Sequence, residues 1–110
     1  MNKYRNKETI IDGIKFDSIA EGRRYKELKI LEEGNYITNL KLQPKFELQA
    51  KFTNAKGERV RAVTYKADFS YIENGKIIVE DVKGVITKEF AIKKKLFEYK
   101  YKDVEFRLIK

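Results

Sequence analysis

Residues 65–83 read YKADFSYIENGKIIVEDVK, with the pair Asn74-Gly75 near the middle of the stretch. Asn-Gly between two runs of β-branched and aromatic residues is typical of a two-residue type I′ hairpin turn. In such a hairpin Glu73 pairs with Lys76, and the pairs that follow outward from the turn place Asp68 opposite Asp81. The stretch therefore predicts an antiparallel hairpin that brings two aspartates together.

The facing aspartates indicate a cation site. Opposed side chains in an antiparallel pair have Cβ atoms about 4.5–5.5 Å apart, a separation at which like charges repel each other. A divalent cation between the carboxylates reverses the sign of that interaction. Lys83 lies two residues after Asp81 and therefore shares its face of the strand. Glu80 points to the opposite face and is interpreted as structural, although a register slip of one residue would exchange the two acids.

An alternative interpretation is that this face of the hairpin is open to solvent. Lys66 and Lys83 would then screen the two aspartates, and no cation would be needed. The same face also carries apolar residues, which favour a covered surface, and these are Ile72, Ile77 and Val79.

A helix is predicted from residue 19 to about residue 33. Ser18-x-x-Glu21 forms a capping-box pattern at its start, and Gly34-Asn35 is a stop signal. Glu21 lies at the end of the apolar face of this helix, in line with Tyr25 and Leu28. Its side chain has two interpretations, a partner in the helix cap or a ligand of the cation site.

The rest of the chain predicts a mixed sheet. Strand-like alternation covers residues 36–52 with an interruption at Gln43-Pro44, and it covers residues 59–71. Thr87 is the predicted cap of a second helix that ends near residue 101, and residues 104–109 form a last strand. The order of helices and strands indicates one α/β (α+β) domain with a central mixed sheet.

The composition restricts the chemistry. The 110 residues include no cysteine and no histidine, which excludes disulfides, zinc fingers and nucleophiles paired with a histidine base. A bound metal would have oxygen ligands, which favours Mg²⁺ or Mn²⁺. No stretch approaches the ~20 apolar residues of a membrane span, and the N-terminus has no apolar signal core, so we expect no membrane association.

The formal charge of +8 predicts a polyanionic partner, and nucleic acid is the first candidate. The alternative is a protein whose basic surface has no partner. Residues 1–9 are interpreted as a basic flexible arm, and the second helix carries a run of lysines. The candidate phosphate contacts are Lys3, Arg5, Lys7, Lys93, Lys94 and Lys95, although a lysine run is often only a solvated helix face.

Asp68 and the triplet Asp81-Val82-Lys83 resemble the signature of the PD-(D/E)XK nuclease superfamily. Ala67 stands where that signature has a proline, which makes the match less diagnostic. Glu21 matches the glutamate that this superfamily often carries on its first helix. The resemblance implies a restriction-endonuclease-like core in the order helix, three strands, helix, strand. It also implies that Asp68, Asp81 and Glu21 are metal ligands, with the Val82 carbonyl as a further ligand, and that Lys83 is catalytic.

The whole chain resembles, more closely, a phage-borne family catalogued as a domain of unknown function and related to Holliday-junction resolvases. This resemblance implies a Mg²⁺-dependent deoxyribonuclease that needs no nucleotide cofactor and acts in the cytoplasm of a bacterial host, encoded by a phage or prophage. A junction resolvase needs two active sites, which implies a homodimer. The matching segments lie at residues 3–7, 16–21, 39–44, 65–69 and 80–84.

Two other functions remain open from the sequence. The same fold can serve as a non-catalytic nucleic-acid-binding module, which would bind DNA and cleave nothing. A structural or partner-binding protein with incidental basicity is the third alternative. Binding of DNA without cleavage would indicate the nucleic-acid-binding module. An absence of salt-sensitive DNA binding would indicate the structural or partner-binding protein.

Overall fold

A computed structural model describes residues 7–110 of the chain. Lys3 and Arg5 of the predicted arm lie outside the described residues, Lys7 is exposed, and the first strand begins at Thr9. Neither helix in the described range has the length and apolar character needed to cross a membrane. The helices are α1 (Ile19–Glu33) and α2 (Lys88–Lys100), and the strands are β1 (Thr9–Ile11), β2 (Ile14–Phe16), β3 (Thr38–Leu42), β4 (Lys45–Gln49), β5 (Phe52–Thr53), β6 (Arg59–Val60), β7 (Val63–Lys66), β8 (Phe69–Glu73), β9 (Lys76–Val82) and β10 (Glu105–Ile109).

Both helices begin at the predicted caps. The Ser18 hydroxyl accepts a hydrogen bond from the Glu21 N–H at 3.1 Å, and Thr87 accepts one from the Phe90 N–H at 3.1 Å. These bonds satisfy N–H groups that have no partner within the first helical turn. α1 ends at Glu33 with Gly34 as its C-cap, at the predicted stop signal.

The central sheet has four strands in the order β10-β9-β8-β3. β9 runs parallel to β10 and antiparallel to β8, so the predicted mixed α/β class is confirmed. Asn74 and Gly75 have φ angles of 51° and 77°, and both positive values fit a type I′ turn. The predicted pairing is confirmed from the turn out to Phe69, which faces Glu80.

The single strand predicted over residues 59–71 is wrong, because the chain bends at Asp68. The Gln43 N–H donates to the Asp68 carbonyl at 2.9 Å, and the Ala67 N–H donates to the Pro44 carbonyl at 3.0 Å. These contacts turn β7 away from β8 and pair it with β4 in a separate two-stranded sheet. The bend also separates two side chains that a single strand would place on one face. Tyr65 packs in one hydrophobic core and Tyr71 packs in another.

Two hydrophobic cores lie on opposite faces of the central sheet, because the adjacent residues Ile78 and Val79 contribute to different ones. Tyr25 and Leu28 of α1 pack in the first core with Ile78. Phe90 and Phe97 of α2 pack in the second with Val79. α1 and α2 therefore cover opposite faces, and the ends of β8 and β9 lie between them.

Candidate active site

The bend at Asp68 turns its carboxylate toward β9. The Asp68 N–H donates to the Glu80 carbonyl at 3.1 Å, and Oδ2 of Asp68 accepts the Val82 N–H at 2.7 Å. Asp68 itself lies just beyond the paired part of the hairpin, so it does not oppose Asp81 as a regular ladder partner. The two carboxylates nevertheless come close enough for a hydrogen bond when one of them carries a proton.

Asp68 has a strongly perturbed acidity. Burial and, after it, the neighbouring Asp81 raise the pKa of Asp68 to about 8, although the hydrogen bond from Val82 acts in the opposite direction. Burial penalises a negative charge on Asp68 by itself, and the nearby Asp81 carboxylate makes that charge a second one in the same place. The pair is therefore a location where positive charge is strongly favoured.

Asp81 contacts Tyr65 of β7 and Lys83, the residue that follows β9. Its side chain is almost fully buried, and the Tyr65 hydroxyl donates a hydrogen bond to Oδ2. Lys83 Nζ lies 3.8 Å from Oδ1 of Asp81 and 4.8 Å from the centre of the Phe90 ring. Ring and carboxylate together keep the ammonium group beside Asp81, at the pocket that Asp68 also lines.

Glu21 is buried in the first turn of α1, with 6% of its surface exposed. Burial raises the pKa of Glu21, and Asp17 and Asp81 raise it further, whereas Lys66 and Lys83 oppose the change. Among residues 7–110, Glu21 has no hydrogen-bonded or ion-paired side-chain partner, so only the Ser18 half of the capping box is formed there. The side chain instead lines a pocket that Asp68 and Asp81 also line.

One pocket of about 450 Å³ collects the predicted site residues. It lies between the first turn of α1, the bend at Asp68 and the end of β9. Local sequence patterns left open whether Glu21 of α1 lies at this end of the hairpin, and the fold brings it there. The lining residues are Asp17, Ser18, Ala20, Glu21, Asp68, Asp81, Val82, Lys83, Gly84, Val85 and Thr87.

Tyr65 is a site residue that the sequence reasoning missed. The alternating pattern assigned it to an apolar face, and its ring does pack in the second core. Its hydroxyl, however, reaches Asp81, and burial and that carboxylate raise the pKa of Tyr65 far above its ordinary value. A buried tyrosine hydroxyl usually needs a hydrogen-bond partner, which is the signal that could have linked it to an acid nearby.

The predicted orientation of Glu80, on the face of β9 opposite Asp81, is confirmed. Its side chain is fully buried on the α1 face, and Arg24 binds both carboxylate oxygens, at 2.8 Å through Nε and at 2.6 Å through Nη2. The Tyr71 hydroxyl also donates to Glu80. These bonds occupy the carboxylate, and the adjacent Asp81 points to the other face of the strand.

The donors present suit a hard cation. Within residues 7–110, no three acidic side chains converge as a ready-made metal site. Mg²⁺ seldom uses an all-protein cage and usually takes one or two carboxylates together with waters and substrate phosphates. Asp68 and Asp81 supply that number of carboxylates, and Glu21 lies in the same pocket. The residues therefore fit Mg²⁺ or Mn²⁺ better than a metal that needs a complete protein ligand set.

The lysines predicted to contact DNA lie in different environments. Lys93 forms an ion pair with Glu89 at 3.2 Å, and Lys94 forms one with Glu98 at 3.1 Å. Lys95 is exposed on the same helix. The run on α2 is thus partly neutralised by glutamates of its own helix, and its role as a phosphate contact stays a prediction.

The stability of the metal-free protein should depend on Asp68. Its pKa of about 8 lies above the ordinary 3.8, so the folded state keeps a proton that the unfolded chain releases. The contribution is present below about pH 4 and is lost as the pH rises to about 8. We expect Asp68→Asn to remove this loss and to raise the Tm at pH 8 by on the order of 5 °C, or about 1 kcal/mol.

Thermal unfolding in a chelator at several pH values between 4 and 9 measures this effect. Asp103→Asn, which changes an exposed aspartate, is the matched control and should follow the wild-type pH profile. An Asp68→Asn profile with the wild-type dependence on pH would contradict the prediction.

Comparison with known proteins identifies the family of the chain. No curated protein and no solved structure matches it. The family model described as "Protein of unknown function (DUF1064)" matches residues 1–110. The expected resemblance to a family catalogued as a domain of unknown function is thus confirmed, while the nuclease relationship and the phage origin stay predictions. The chain belongs to the DUF1064 family.

Proposed function

We propose that this protein is a metal-dependent nuclease that hydrolyses phosphodiester bonds. The observation that supports the proposal is the pair of carboxylates of Asp68 and Asp81, brought together from a strand bend and an adjacent strand, with Lys83 in the same pocket. A fold gains nothing from holding two carboxylates in a poorly solvated place unless a cation or a proton accompanies them.

Asp68 and Asp81 would hold Mg²⁺ or Mn²⁺, with Glu21 as a further or water-mediated ligand. When bound, the cation lowers the pKa of a coordinated water and polarises a phosphate oxygen. Asp81 is buried and Asp68 is partly buried, so their charges are poorly screened and attract the cation more strongly.

Lys83 would stabilise the negative charge that develops on the phosphate, because its ammonium group is fixed next to the carboxylates. Tyr65 acts as a positioning residue, since its hydroxyl fixes one oxygen of Asp81. The pocket is open enough for a phosphate group, with Gly84 and Val85 forming part of its wall.

The proposed substrate is DNA, and the net charge of +8 supports a polyanion. The family resemblance extends the proposal to branched, Holliday-junction-like DNA cut during phage recombination or packaging in a bacterial host. The resemblance also implies a homodimer with two active sites and a restriction-endonuclease-like core. Each of these finer statements rests on the resemblance, and the observed mixed sheet with two helices is compatible with them.

Purified protein incubated with branched, duplex and single-stranded DNA tests the proposal. We expect cleavage in Mg²⁺ or Mn²⁺ and none in a chelator. Titration with Mn²⁺ in an NMR experiment should broaden amide signals near Asp68 and Asp81 before those elsewhere. DNA binding without cleavage in either metal would favour the non-catalytic module, and broadening centred on another part of the chain would contradict the proposed metal site.

A further inference from the structure

A short two-stranded ribbon, formed by β5 and β6, lies at the far end of the hairpin that carries β4 and β7. The two strands contact each other and make at most marginal contacts with any other helix or strand. The tip is nevertheless ordered, because Asn54 accepts the Lys56 and Glu58 N–H groups at 3.0 Å each. The fold thus maintains a defined ribbon that contributes nothing to either hydrophobic core.

The ribbon concentrates positive charge. Residues 51–61 contain four basic residues and one acidic residue, a net charge of +3. The acid, Glu58, is engaged by the Asn54 side-chain amide at 2.9 Å. In the part of the chain that the structure describes, none of the four cations forms an ion pair, and all are exposed: Lys51, Lys56, Arg59 and Arg61.

The two faces of the ribbon differ in character. Phe52 opposes Val60 and Thr53 opposes Arg59, so alternation places Phe52 and Val60 on one face and Arg59 on the other. Phe52 is 48% exposed although it has no core to join. An open concavity of about 710 Å³ runs along the ribbon, lined by Lys51, Phe52, Thr53, Arg59, Val60 and Arg61.

The other described basic cluster is a weaker candidate for the same role. Lys93 and Lys94 on α2 are paired with glutamates of their own helix, and Lys94 also lies over the Phe106 ring at 5.3 Å. The ribbon cations have no such partners among residues 7–110. Unpaired cations release more counterions from a nucleic acid, and they therefore contribute more to its binding.

We propose that the β5–β6 ribbon is a binding arm for duplex DNA, with Arg59 and Arg61 contacting phosphates. The inference rests on the proposed function, because it takes the substrate of the pocket to be DNA. Charge complementarity indicates a polyanion, and the major groove of B-DNA, about 12 Å wide, admits a two-stranded ribbon. The major groove of A-form RNA is too narrow for side chains to enter, which favours DNA over RNA.

The ribbon and the pocket can act on one DNA molecule. Arg61 is seven residues before Asp68, a span of at most about 23 Å of extended chain. The same length of B-DNA is roughly seven base pairs. The β5–β6 ribbon would therefore contact the duplex within about one helical turn of the phosphate bound at the pocket.

Equilibrium binding of the full chain to a fluorescent duplex of about 30 base pairs tests the proposal. The assay is run in a chelator over a range of salt concentrations. We expect Arg59→Ala/Arg61→Ala to weaken binding roughly tenfold or more and to reduce the slope of log K against log salt by close to 2, about 0.9 for each lost phosphate contact. The control Arg23→Ala/Lys26→Ala removes the same charge from exposed positions of α1 and should leave the slope nearly unchanged.

Several outcomes would overturn the proposal. These are an unchanged slope in the ribbon variant, an equal change in the α1 control, and an equal or larger loss on a single strand of the same length. Because β5 and β6 are absent from both cores, the ribbon variant should keep the wild-type Tm, which separates lost contacts from lost folding. Binding in a chelator does not depend on cleavage, so loss of binding in the ribbon variant would support the arm even if no DNA is cut. Cleavage with an unchanged slope would instead reject the arm alone.

Discussion

Asp81→Asn is expected to reduce metal-dependent DNA cleavage by about a thousandfold or more. Asparagine keeps the size of the side chain and can still accept the hydrogen bond from Tyr65, but it removes the negative charge beside Asp68. Loss of a single preorganised electrostatic contact in an active site commonly costs 10²–10³ in rate, and a metal ligand also controls occupancy of the site. Single-turnover cleavage at saturating protein measures the effect on the chemical step.

The folded state should survive this substitution. One buried charge is removed from a repelling pair, so the metal-free Tm should stay equal or rise. Asp103→Asn serves again as the exposed control and should cleave at the wild-type rate. If Asp81→Asn and the wild type cleave equally, the activity belongs to another site or to a contaminating nuclease, and the assignment of the pocket fails.

Arg24→Met is expected to cause the largest loss of stability. Arg24 makes two hydrogen bonds to Glu80, which is completely buried, and the Tyr71 hydroxyl is the remaining partner. Breaking a buried ion pair by removing one member typically costs 3–5 kcal/mol, because the other charge stays buried without compensation. For a domain of this size, that corresponds to a fall in Tm of roughly 15 °C or more.

A second substitution distinguishes the lost ion pair from lost packing. In Arg24→Met/Glu80→Leu both charges are gone, and apolar replacement of a buried pair is often neutral, so most of the stability should return. Arg23→Met changes the exposed neighbour on α1 and should alter the Tm by no more than about 2 °C. An Arg24→Met protein as stable as Arg23→Met would contradict the expected effect.

The Arg24–Glu80 pair also matters for the pocket. Arg24 lies about one turn after Glu21 on α1, and Glu80 directly precedes Asp81 on β9. The pair therefore joins the two elements that bring Glu21 and Asp81 into one pocket. If it positions these acids, Arg24→Met/Glu80→Leu should fold and yet need a higher Mg²⁺ concentration for half-maximal cleavage than the wild type.

The amino-acid sequence by itself determined the local features of this protein. Both helix caps, the Asn74-Gly75 turn and the hairpin register from that turn to Phe69 follow from interactions within a few residues. The spacing of Asp81 and Lys83 on one strand likewise depends only on the period of a strand. These features were predictable because each has one strongly favoured conformation whatever the rest of the chain does.

Only the tertiary structure decided how the site is assembled. The bend at Asp68 depends on backbone bonds from residues 43 and 67, and the hydroxyl of Tyr65 finds Asp81 across 16 positions of sequence. Arg24 reaches Glu80 across 56 positions, and this contact brings α1 with Glu21 to the end of β9. Such contacts exist only when distant segments pack together, and no local propensity selects one partner over another. The sequence therefore identified Glu21, Asp68 and Asp81 as candidate site residues, and long-range packing brought them together in one pocket.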